Sequence, residues 1–129
     1  MKTNKYIIAF DLDNTLCNSI RRYHPEDILK VKPRKNLIKT LKELKKRGYK
    51  IMIFTRRGNI KNGRKLTIQW LKKYNIPYDI LITKKPHYEM LIDDRVCSVH
   101  QYLTADIIEK RTINAQKSIE KYLYKPKRK

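Results

Sequence analysis

Residues 6–15 read Tyr6-Ile7-Ile8-Ala9-Phe10-Asp11-Leu12-Asp13-Asn14-Thr15, an apolar run that stops at two carboxylates and a hydroxyl. A strand with one wet face alternates apolar and polar residues. A strand buried on both faces of a parallel sheet reads instead as a continuous apolar run. Tyr6–Phe10 is of the second kind and predicts a buried parallel strand, with Asp11 and Asp13 at its carboxyl end.

Outward from that strand, polar residues and turn formers run from Asp11 to about Lys32. Pro33 suits the first turn of a helix and Gly48 its end, with Leu37, Ile38, Leu41 and Leu44 at helical spacing between them. Tyr49–Phe54 predicts a second strand, and Leu66, Trp70, Leu71 and Tyr74 mark a second amphipathic helix closed by Asn75 and Pro77. Ile80–Ile82 is expected as a third strand, Met90–Ile92 as a fourth and Val96–Val99 as a fifth. A last helix is expected from Thr104, as N-cap, to Leu123, with Ile107, Ile108, Ala115, Ile119 and Leu123 apolar. Strands alternating with helices imply parallel pairing with helices on both faces, hence a small three-layer Rossmannoid α/β domain with a mostly parallel sheet. The expected organisation is one domain over 1–123 and a solvated basic tail over 124–129.

The 129 residues carry 32 Lys+Arg against 12 Asp+Glu, a formal charge of +20. Such a surface gathers polyanions by counterion release, so nucleic acid is the expected partner class. No apolar run approaches the roughly 20 residues that span a bilayer, and the N-terminal run is too short for a signal peptide. Secreted and membrane-embedded classes are thereby set aside. Cys17 and Cys97 make no disulfide framework and suit a reducing compartment. The cytoplasm is expected, or the nucleus of a eukaryotic host, for which Lys125–Lys129 would serve as an address.

Open α/β sheets bind ligands beyond the carboxyl ends of their strands. Those ends carry Asp11, Asp13 and Thr15; Thr55, Arg56 and Arg57; Thr83, Lys84 and Lys85; and Asp93, Asp94 and Arg95. Four carboxylates on one sheet edge repel one another unless a cation joins them. Hard oxygen donors without a His or Cys cluster favour Mg²⁺ over zinc. The edge therefore reads as a Mg²⁺-assisted phosphate site.

These residues resemble the haloacid dehalogenase-like (HAD) phosphohydrolases in the family's order. The first motif is YIIAFDLDNT, the second IMIFT, the third Lys85 within KKP, and the fourth MLIDD. The resemblance implies Asp11 as nucleophile toward phosphorus and Asp13 as the acid and then the base. It also implies Mg²⁺ on Asp11, the Asp13 main-chain carbonyl and one of Asp93 or Asp94, with Thr55 and Lys85 holding the phosphoryl oxygens. Asn14 stands where the family usually has Gly, and Asn tolerates the positive φ that such a turn asks for. A helix and a strand fill much of Asp13–Thr55 and of Thr55–Lys85, which leaves no cap domain and only Cys17–Lys32 as a flap.

A closer resemblance is to the 3′-phosphatase domain of polynucleotide kinase-phosphatases, carried by Arg57 just after Thr55, by Arg22, and by Arg95 after the acidic pair. It implies removal of a terminal phosphate from DNA or RNA, with Asn14, Arg22 and Arg57 as substrate contacts. The basic run Arg56–Lys73 would track the polynucleotide backbone. FDLDNTLCNS and ITKKPHYEMLIDD also resemble capless sugar-phosphate phosphatases, and a non-catalytic nucleic-acid binder is the third reading. Tyr23 and Tyr88 are expected at the rim of the site, His24, His87 and His100 on the surface, and Trp70 in the core. Carboxylates near Cys17 should raise its pKa, so it is not read as a nucleophile.

Overall fold

The computed structural model describes residues 6–19, 24–99 and 103–122. Arg22, Tyr23, His100, Leu123 and the tail 124–129 lie outside the described residues. The elements are β1 (Ile7–Asp11), α1 (Asp27–Lys30), α2 (Lys35–Lys46), β2 (Lys50–Phe54), a 3₁₀ turn (Arg57–Asn59), α3 (Gly63–Lys73), β3 (Ile80–Ile82) and α4 (Ala105–Tyr122).

Three strands form one parallel sheet in the order β1-β2-β3, with Ile7 opposite Lys50 and Met52 opposite Ile80. A helix fills each crossover, as parallel pairing requires. Helix α2 ends at Gly48, whose φ of 98° lets the Tyr49 N–H reach back to Leu44 O. Asn75, with φ of 53°, closes α3 the same way through Ile76 N–H and Leu71 O. Both closures return the chain directly into, or toward, the next strand.

The core gathers Leu12, Leu16, Ile28, Leu41, Leu44, Ile51, Ile53 and Leu71 around Trp70, all fully buried. Trp70 is a core residue, as its place on the helix stripe predicts, and its Nε1–H donates to Val31 O at 2.9 Å. Thr104 caps α4, accepting the Ile107 N–H on Oγ1, while Thr40 Oγ1 of α2 donates to Leu103 O. The chain is thus a small HAD-like α/β domain with a parallel sheet and, among the described residues, no cap. Nor is any described helix long and apolar enough to cross a membrane.

Three expectations are corrected. Met90–Ile92 and Val96–Val99 are not strands, and Met90, Leu91 and Ile92 are 76%, 50% and 94% exposed. Three apolar residues make few ladder bonds, so only a docked partner edge holds them as a strand. Here β1 pairs with β2 alone and remains a sheet edge among the described residues. The segment expected as a flap is, where described, part of the core. Cys17 and Ile28 are fully buried, and α1 packs on α3.

Candidate active site

The site begins with the turn after β1. Leu12 O accepts the N–H groups of Thr15, Leu16 and Cys17 at 3.1, 2.9 and 3.2 Å, which folds Asp13–Thr15 into a tight loop. The loop needs a left-handed residue, and Asn14 takes it with φ of 61°. Arg34, next to the start of α2, clamps this turn. Its Nη1 donates to Asn14 O at 2.7 Å, its Nη2 to Asn14 Oδ1 at 3.3 Å, and its backbone N–H to Leu16 O. Arg34 was not singled out from sequence, because no local pattern separates it from the other cations of so basic a chain.

Across the ladder from Asp11 stands Phe54, and Thr55 follows it. The sheet continues past the formal strands here: Thr55 N–H donates to Ile82 O at 2.8 Å and Lys85 N–H to Thr55 O at 3.1 Å. These bonds carry Lys85 to the same edge as Asp11, where its Nζ lies 3.5 Å from Asp11 Oδ1. The ammonium also lies 5.1 Å from the Phe54 ring centroid and 5.2 Å from that of Tyr88. The Asp11 carboxylate stays 44% exposed, whereas the Lys85 side chain is 13% exposed. The Asp11 carboxylate is thus reachable from solvent, with the Lys85 ammonium beside it to offset its charge.

Asp13 is held differently. Arg57 Nη2 donates to Asp13 Oδ1 at 2.8 Å and Nε to Oδ2 at 3.3 Å, a two-pronged pair on a guanidinium that is only 1% exposed. Nη2 also reaches Cys17 Sγ at 3.1 Å, the guanidinium carbon lies 5.9 Å from the Trp70 ring centroid, and Nη1 is buried with no partner among the described residues. Arg57, expected as a substrate contact, is thus buried under the site and engaged by Asp13. The physical reason is the 3₁₀ turn. Gly58 N–H donates to Thr83 O at 2.7 Å, so close that a Cβ at Gly58 would meet that oxygen at 2.4 Å. Drawing the turn down in this way is what sinks the Arg57 side chain inward. Thr55 Oγ1 accepts the Arg57 N–H at 3.3 Å, and Thr55 is itself 1% exposed.

Burial pushes the Cys17 thiol up to about 12, with Asp13 adding to the rise and Arg57 opposing it. The direction agrees with the sequence reading, although burial is the leading cause rather than the carboxylate. His87 accepts from Arg56 at 2.6 Å and pairs with Glu89, while His24 pairs with Glu26, all on the surface.

The structure therefore brings together Asp11, Asp13, Asn14, Thr55, Arg57 and Lys85. It does not bring Asp93 and Asp94 to them. Asp93 accepts the Arg95 N–H at 3.3 Å, and the 83% exposed Asp94 carboxylate lies 3.8 Å from Arg95 Nε. Their mutual hydrogen bond, helped by the Arg95 amide, holds the Asp93 carboxyl below its usual range. Among the described residues, no three His, Cys, Asp or Glu gather closely enough to hold an ion. The arrangement fits Mg²⁺ only in part: the Asp11 carboxylate is available and Arg57 takes the Asp13 side chain without touching its main-chain carbonyl, but the acidic pair stands apart.

The family model for polynucleotide kinase 3 phosphatase matches residues 6–119, from the first strand through most of α4. The chain belongs to that family. Membership makes it a phosphatase, a hydrolase of phosphoric monoesters. No curated protein matches the chain. Among solved structures, it is similar to a crystallised target protein from Vibrio cholerae at 27% identity and a TM-score of 0.65, covering 85% of this chain and 98% of that one. It is also similar to a chain of a Pnkp1/Rnl/Hen1 complex, at 24% identity and a TM-score of 0.54 over 94% of this chain and 35% of that one. A chain of the Pnkp1/Rnl/Hen1 RNA repair complex gives 24% identity and a TM-score of 0.52, over 90% of this chain and 34% of that one. At that identity these last two speak for the fold alone.

Proposed function

We propose that this polynucleotide kinase 3 phosphatase family member removes the 3′-phosphate from a DNA or RNA end through an aspartyl-phosphate on Asp11. The observation that carries the reading is the placement of Asp11, open to solvent, beside Lys85 at the carboxyl end of β1. A carboxylate oxygen of Asp11 attacks phosphorus, and the bond to the departing 3′-oxygen breaks as Asp13 delivers its proton to that oxygen. Water then attacks the same phosphorus, gives a proton to Asp13, and releases inorganic phosphate with Asp11 restored. Lys85 and the Thr55 hydroxyl hold the phosphoryl oxygens as their charge grows. Arg57 keeps Asp13 aimed, and Asn14 shapes the turn from which it projects.

Mg²⁺ is the proposed cofactor, with Asp11, Asp13 and one of Asp93 or Asp94 as its residues and charge neutralisation at the phosphate as its contribution. Arg22 remains the proposed contact to the terminal phosphate or its neighbour. The net charge of +20 supports a polyanionic substrate. Two free cysteines suit a reducing cytoplasm as the site of action.

The test compares phosphate release from a 3′-phosphorylated oligonucleotide, its 5′-phosphorylated isomer and a panel of sugar phosphates, with Mg²⁺ and with EDTA. Preference for the 3′-phosphate, loss in EDTA and a steep decline with salt are expected. Salt-indifferent turnover of a sugar phosphate would overturn the polynucleotide assignment.

A further inference from the structure

Away from the catalytic edge, a groove of about 420 Å³ runs along α2, with Tyr74, whose ring packs on Trp70 and lies under the Lys73 ammonium, also in its lining. Lys35, Lys39, Lys42 and Lys46 line it. They recur at intervals of four, three and four residues, which sets them in one row on the helix. At a rise of about 1.5 Å per residue, the row covers roughly 16 Å. None of the four makes an ion pair with another described residue. The other cations of the same helix end do, Lys45 with Asp79 and Arg47 with Glu43, Asp106 and Glu109. Glu43, the one acid in the groove, is the residue taken by Arg47.

A row of unpaired like charges costs helix stability unless an anion with matching spacing joins it. A groove lined by a row of cations is the feature with which proteins track the backbone of single-stranded nucleic acid. The row also starts in the right place. Lys35 follows Arg34, the residue that clamps the Asn14 turn, and Lys35 also lines a second cavity that includes Thr15.

We infer that this groove is a binding site for the body of a single-stranded polynucleotide, with successive phosphates on Lys35, Lys39, Lys42 and Lys46. It rests on the polynucleotide reading above and adds a location: the strand leaves the catalytic edge along α2. Chain length then sets affinity, and the terminal phosphate sets chemistry.

The probe is a labelled single-stranded oligonucleotide of about twelve nucleotides ending in a 3′-hydroxyl, which reports binding by anisotropy with no reaction. Lys39→Gln/Lys42→Gln/Lys46→Gln is compared with wild type and with a control of equal charge, Lys50→Gln/Lys110→Gln/Lys117→Gln. The groove variant should bind about tenfold more weakly, with the log-log salt slope reduced by about 2, while the control moves each by less than half as much. Turnover of a dinucleotide bearing a 3′-phosphate should be unchanged in both. Equal losses in groove and control variants would overturn the groove, as would displacement of the probe by polyglutamate at equal charge. If wild type prefers the long 3′-phosphate over the dinucleotide and the groove variant keeps that preference, the groove alone falls. Wild type without any such preference would sink the polynucleotide reading along with it.

Discussion

Two stretches of this chain share one pattern, an apolar run followed by acids, and meet opposite fates. Ile7–Asp11 is paired over five positions with β2, and its acids are fixed, Asp13 by Arg57 and Asp11 beside Lys85. Met90–Asp94 has no strand partner among the described residues, and its acids meet each other and the neighbouring Arg95. The difference shows that a motif specifies chemical groups while the tertiary partner specifies their geometry. In the first stretch, ladder bonds extend past Phe54 and Ile82 to deliver Thr55 and Lys85. The second has no such extension.

The sharpest way to break the comparison is substitution within each acidic pair. Asp11→Asn should lower phosphate release by roughly a thousand-fold or more with the fold intact by circular dichroism. Near-normal turnover would move the nucleophile elsewhere. Arg57→Ala should come next, lowering activity by about a hundredfold and stability by about 1–3 kcal/mol in urea unfolding, because a partly buried carboxylate loses its partner. Arg57→Lys keeps charge without the fork and should recover stability better than activity. Equal recovery of both would argue against a positioning role.

One of Asp93→Asn and Asp94→Asn should raise the Mg²⁺ concentration needed for half-maximal rate by about tenfold, and the other should stay near wild type. Identical, wild-type metal dependence in both variants would remove the acidic pair from the site.

Much of this site was legible because the relevant signals are local. The apolar run and its acids mark β1, the stripe Leu37, Ile38, Leu41 and Leu44 marks α2, and Asn14 announces a left-handed turn. What escaped is non-local or too short. Helix α1 and the 3₁₀ turn are four and three residues long, less than a period can reveal. Arg57 looks like any arginine near a phosphate site until the contact of Gly58 with Thr83 draws its side chain toward Asp13, Cys17 and Trp70. The missing pairing of Met90–Ile92 is likewise decided by the sheet edge and not by the run itself.

The smallest expected effect concerns Cys17. Its folded pKa of about 12 exceeds the ordinary 9.0, so the native state holds a proton that the unfolded chain releases first. The stability this contributes is complete below about pH 9.0 and is lost as pH rises toward 12. Unfolding at alkaline pH should show that slope in wild type and lose it in Cys17→Ala. At neutral pH an alkylating reagent should modify Cys97 and leave Cys17 untouched. Rapid labelling of Cys17 would contradict its burial.

The central claim is that Asp11 accepts the phosphoryl group. Brief incubation of the wild-type protein with a 3′-phosphorylated oligonucleotide, rapid quenching and then borohydride reduces any acyl phosphate to an alcohol and so turns the modified aspartate into homoserine. The account predicts homoserine at position 11 by peptide mass spectrometry, dependent on substrate and absent from Asp11→Asn. Phosphate release at a normal rate with position 11 still aspartate, or homoserine at another acid, would contradict it.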